Sequence, residues 1–185
     1  MIKDRVGPAG GHVFKQIIVR GEPSQIPSDE DIQLESLDIG MPLSRTYICW
    51  CTTFGRGHLD DLLEFWVPVR SLPDRLSAMC DGAEVVVDDV RAGFAEYSPD
   101  GSEKIALRLV YFGHSFDGGF LAWDPHDVVD DEPAIYSVGR ASLSFTKVGY
   151  GMDRLIASLL SADVKRVLGL GYQPLTGTFC ARPPS

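Results

Sequence analysis

The chain has 185 residues, enough for one domain with a substantial core, and 44% of them are hydrophobic. A formal net charge of -9 disfavours contact with nucleic-acid phosphates and favours solubility or a basic partner. No apolar run approaches the ~18–20 residues of a membrane span, and Met1-Ile2-Lys3-Asp4-Arg5 lacks the apolar stretch of a signal peptide, so a cytoplasmic setting without membrane contact is expected.

In chain order, the glycine-rich stretch Met1 to Gly11 reads as loose, and His12 to Val19 as a strand rich in Val, Phe and Ile. Gly21 to Pro27 is a turn-rich connector. Ser28 has the chemistry of a helix N-cap, and Asp29, Glu30 and Asp31 suit the positive end of the helix that follows to about Leu37. Pro42 opens a second helix, with Leu43, Tyr47, Trp50, Cys51 and Phe54 on one apolar face. Gly55 is placed to cap it in a left-handed conformation, Gly57 keeps the connection tight, and Leu62 to Val67 reads as a strand.

Leu72, Leu76, Met79 and Cys80 form the stripe of a further helix, and Val86, Val90, Phe94 and Tyr97 extend helical spacing across Ala83 to Tyr97. Ser98-Pro99-Asp100-Gly101 is a turn. Short strands are then expected over Lys104–Phe112, Gly119–Trp123, Ala134–Val138 and Ser142–Val148, close enough in sequence for an antiparallel meander. A last helix starts near Met152 and carries Ile156, Leu159, Leu160, Val164 and Val167 inward. The tail from Gly171 to Ser185 holds three prolines and is expected along the surface.

The four cysteines, Cys49, Cys51, Cys80 and Cys180, have neither zinc-finger spacing nor the density of a secreted disulfide framework, so free thiols are expected. His114, Asp117, Asp124, His126 and Asp127 lie close together in sequence, but no H-x-x-x-H or C-x-x-C unit supports a metal site. Gly113 to Gly119 lacks the lysine and the following helix of a phosphate loop and reads as a hairpin. No G-x-S-x-G elbow appears. Asp127, Asp130, Asp131 and Glu132 form an acidic run between two strands, read either as a solvated edge or as a contact for a basic partner.

The order of these landmarks resembles the SUKH superfamily, which contains the Smi/Knr cell-wall regulators and many bacterial immunity proteins. Its L-P-x-x-Y helix start is matched by Met41-Pro42-Leu43-Ser44-Arg45-Thr46-Tyr47 with Leu and Pro reversed, and its F/Y-G-x-G turn by Phe54-Gly55-Arg56-Gly57. The strand into a proline is matched by Leu63-Glu64-Phe65-Trp66-Val67-Pro68. The glycine hairpin is matched by Gly113 through Gly118-Gly119 to Trp123, and the final helix by Leu155-Ile156-Ala157-Ser158-Leu159-Leu160. The resemblance covers residues 28–168, leaving 1–27 as an N-terminal extension with a strand and 169–185 as a proline-containing tail.

It implies an α+β fold: a single domain with a mixed or antiparallel sheet of about five to six strands, helices on one face and at the ends. It also implies action by binding, with no catalytic residue, cofactor or metal. The expected function is that of an immunity protein neutralising a basic toxin domain, often a nuclease. Asp127, Asp130, Asp131 and Glu132, then Asp60, Asp61 and Glu64, are the expected contacts. The rivals are a Smi/Knr-type regulatory scaffold and a metal-dependent enzyme using His114, Asp117 and His126.

Overall fold

Trp50 is fully buried and sits at the centre of the aromatic packing. In a computed structural model describing residues 12–139 and 143–183, its ring meets Phe14 at 5.4 Å, Phe65 at 5.1 Å and Phe179 at 5.9 Å, all edge-on. Edge-on pairs bring the positive rim of one ring to the negative face of the next. Phe14 and Phe179 come from far-apart parts of the sequence, so the core ties both to the Trp50 helix.

The strands are β1 (Ile18–Arg20), β2 (Gly57–Leu59), β3 (Leu63–Phe65), β4 (Val110–Ser115), β5 (Phe120–Val129), β6 (Glu132–Val138), β7 (Phe145–Tyr150) and β8 (Thr178–Ala181). They form one eight-stranded sheet in the order β1-β8-β2-β3-β4-β5-β6-β7, antiparallel throughout except where β1 and β8 run parallel. The helical segments are α1 (Asp29–Asp38), α2 (Arg45–Phe54), α3 (Leu76–Gly82), α4 (Glu84–Arg91), α5 (Glu103–Ala106), α6 (Gly151–Leu159) and α7 (Val164–Val167). The result is a single α+β domain with more strands than the five to six expected.

The two additional strands come from segments with weak patterns. The tail does not lie along the surface: Thr178–Ala181 enters the sheet between β1 and β2, and Phe179 is buried against Trp50 and Phe54. Gly57 is itself in a strand, paired with Ala181, and the position requires glycine because a Cβ there would lie 2.3 Å from Cys180 O and against the Phe179 ring. The expected strand over His12–Val19 is a 3-10 turn, Phe14–Gln16, followed by β1. The stretch Met1 to Gly11 lies outside the described residues.

Other boundaries also shift. Ser44 caps α2 through Tyr47 N at 3.3 Å, so Pro42 stands before the helix. Gly55 ends α2 with φ +64 but ψ -150, which is not left-handed helical; a Cβ there would lie 2.0 Å from Ser24 O. Its role is close approach as much as capping. The helix expected over Ala83–Tyr97 ends at Arg91, before Gly93 at φ +81. Residues Glu103–Ala106 form a helical turn capped by Ser102, and the strand begins only at Val110. The last helix breaks after Leu159, where Ser161 Oγ bonds Ser158 O and competes for the backbone. Ser142 lies outside the described residues, and β7 starts at Phe145.

Candidate functional site

β5 and β6 form a long hairpin closed by a two-residue loop, Asp130-Asp131, between the paired residues Val129 and Glu132. Both aspartates have positive φ, 52 and 63. Such loops favour Asn-Gly or Asp-Gly, because an L side chain in this region costs about 1 kcal/mol or more relative to glycine. Both carboxylates are exposed, and neither makes a hydrogen bond or ion pair with another described residue.

Next to the loop the hairpin exposes Val128 and Val129 at about half of their surface. Val128 lines a hollow of about 380 Å³ with Met41, Leu43, Ile48, Pro125 and Pro133; Arg45 and Asp131 stand at the same hollow. A second hollow of about 530 Å³ continues from Met41-Pro42-Leu43 to Leu37, which is 70% exposed on α1. The surface is an apolar strip beside an acidic tip. Exposed apolar residues are ordinary on a protein surface; here several of them adjoin one another.

Four of the other five expected contacts have structural work. Glu132 is buried, and its carboxylate accepts from Thr46 N at 3.0 Å and Thr46 Oγ1 at 2.7 Å. Asp127 pairs with Lys147 Nζ at 2.6 Å and accepts from Tyr150 OH at 2.9 Å. The Lys147 hydrogen bond is the main reason its carboxyl is held below the usual range. Asp60 accepts from Gly177 N at 2.9 Å and Thr178 N at 3.1 Å, fastening the β2–β3 turn to the start of β8. Glu64 is buried and pairs with Arg182 at 3.3 Å. Asp61 is exposed on the turn.

A polar row crosses the sheet elsewhere. Register aligns Cys180 on β8, His58 on β2, Glu64 on β3 and His114 on β4, on the face opposite Leu59, Leu63, Phe65 and Phe179. Trp66 Nε1 donates to His114 Nδ1 at 3.1 Å, and burial lowers the His114 pKa. Asp117 bonds Ser115, Gly119 and Tyr172, while His126 is exposed with its N–H on Asp124. Among the described residues, His114, Asp117 and His126 do not converge as metal ligands. The set that does is His58, Asp61 and Cys180. The sequence hid it because Cys180 sits in a stretch that reads as a tail.

Burial also pushes the Cys51 thiol well up and that of Cys80 up to about 12, so both stay protonated, and Cys80 Sγ donates to Tyr111 O at 2.6 Å. Among the described residues, no helix is long and apolar enough to cross a membrane. No known family model and no curated protein matches the chain.

Proposed function

We propose that the chain is a non-enzymatic binding protein that neutralises a basic toxin domain, a nuclease, by direct contact. The observation that carries the reading is the pair Asp130 and Asp131: two exposed, unengaged carboxylates in costly positive-φ positions, beside the strip formed by Val128, Val129 and the Met41–Leu43 segment. Aspartate is among the few L residues that tolerate positive φ, and the loop presents two charges where a neutral Asn-Gly turn would present none. A nuclease presents a cationic groove to its phosphate substrate, and an acidic hairpin matches it in sign. The net charge of -9 would speed the encounter. The likeness of the Pro42–Tyr47 and Phe54–Gly57 segments to SUKH immunity proteins supports the same reading.

The contacts proposed are Asp130 and Asp131 with the exposed valines. Glu132, Glu64 and Asp60 hold the scaffold behind them. The test is a nuclease assay with a basic nuclease toxin domain, sought first among the products of adjacent genes. Stoichiometric addition should abolish cleavage. Undiminished cleavage at a tenfold excess of folded protein would refute the proposal.

A further inference from the structure

On the polar row, well away from the hairpin tip, the three side chains His58, Asp61 and Cys180 offer one ligand atom each, and these atoms all lie within 4.8 Å of one another. We propose that they form a binding site for a zinc-class divalent transition metal ion.

The positions follow from the fold. His58 and Cys180 are directly opposed across the β2–β8 pair, so their side chains leave the same face a few ångströms apart. Asp61 is swung over them by a turn in which Asp60 and Asp61 both have positive φ, 52 and 54. Asp60 locks that turn through its bonds to Gly177 N and Thr178 N. The strands and the turn therefore supply a preformed frame, which a metal site needs if its ligands are not to lose freedom on binding.

A second observation comes from the imidazole. His58 Nδ1 is shut off from water and makes no hydrogen bond, although Asp61 Oδ1 lies only 3.0 Å away. A cation held between the ring nitrogen and the Asp61 carboxylate would be ligated by both. A thiolate, a neutral imidazole and a carboxylate are the ligand set of a borderline-soft ion, and two anionic ligands neutralise a divalent charge. With three protein ligands and Asp61 on an exposed turn, a fourth position is left to water.

A Cys-His-Asp hydrolytic arrangement would use the same residue types but needs the thiol and the carboxylate on opposite ring nitrogens. Here the sulfur, the carboxylate oxygen and one nitrogen are mutually close, so the geometry favours a shared ion. Glu64 does not compete as a ligand, since Arg182 already pairs with it.

The full chain, stripped with chelator and exchanged into Zn²⁺ or Co²⁺, tests this. Expected are one metal ion retained per chain and a thiolate-to-cobalt charge-transfer band. Cys180→Ser should abolish the band and Cys49→Ser should leave it. Asp61→Asn, on an exposed turn and therefore compatible with folding, should weaken zinc binding about tenfold or more. Zinc should also shield Cys180 from alkylation in the wild-type chain. No stoichiometric metal at micromolar concentration, or a cobalt band that survives in the Cys180→Ser variant, would overturn the proposal.

Discussion

The carboxylate of Glu132 grips Thr46 at both ends: Oε1 accepts from the backbone N–H at 3.0 Å and Oε2 from the hydroxyl at 2.7 Å. Thr46 Oγ1 in turn accepts from Met152 N at 2.8 Å. Thr46 and Met152 lie in the first turns of α2 and α6, where backbone N–H groups lack helical partners, and α6 has no side-chain cap of its own. One buried acid at the start of β6 therefore serves the ends of two helices.

Replacing Glu132 with alanine leaves Thr46 N and the Thr46 hydroxyl without their acceptor. We expect a loss of about 2–3 kcal/mol by urea denaturation, with Thr46→Val losing a comparable amount. A double variant should lose less than the sum, because both changes break one network. Full additivity would show that the relay is not a unit.

Glu35 repeats the device. Fully buried on α1, it accepts from Ser77 N at 2.8 Å in the first turn of α3, a helix without a side-chain cap, and sits 3.2 Å from Arg75. Glu35→Gln should keep the shape and lose charge-assisted strength, by about 1–2 kcal/mol. Glu35→Leu should cost more, since Ser77 N then has no acceptor.

Gly55 should tolerate no side chain. With φ +64 and Ser24 O 2.0 Å from a would-be Cβ, Gly55→Val is expected to destabilise by about 3 kcal/mol or more, lowering the melting temperature by roughly 10 °C. An unchanged melting temperature would remove the close-approach account of the α2–β2 junction.

His114 gives a pH dependence. Its pKa lies below the ordinary 6.5 because burial disfavours the charged ring, and protonating Nδ1 would also destroy the acceptor for Trp66 Nε1. The unfolded chain thus binds the proton more readily than the folded one. The stabilisation is full above the unfolded pKa and is lost as pH falls through the folded pKa. Between about pH 7 and 5 the wild type should lose stability more steeply than His114→Gln. Equal slopes would mean that His114 titrates alike in both states.

Much of this fold was legible from local chemistry. Ser28 caps α1 and exchanges bonds with Asp31 as its first-turn acids suggest, and the α2 face Tyr47-Trp50-Cys51-Phe54 is buried as its spacing predicts. What escaped was long-range. Nothing near Phe179 says that its strand pairs with Gly57–Leu59 and Ile18–Arg20, because three- and four-residue strands carry too little alternation. The candidate contacts divided for the same reason. An acidic run looks uniform in sequence, yet Glu132 points into the core while Asp130 and Asp131 stand at the tip.

The hairpin tip predicts a trade between stability and binding. Asp130→Asn with Asp131→Gly should relieve the positive-φ strain and raise stability by about 0.5–1 kcal/mol, while removing both charges. A fall in stability would show that the loop is not strained.

The central claim is tested most directly by calorimetric titration of a basic nuclease toxin domain, sought first among the products of adjacent genes, into wild-type protein and into the Asp130→Lys/Asp131→Lys double variant. The account predicts a one-to-one complex for the wild type, weakened by salt, and at least tenfold weaker binding for the folded variant. Equal affinity for the two chains, or no binding by the wild type at micromolar concentration, would contradict it.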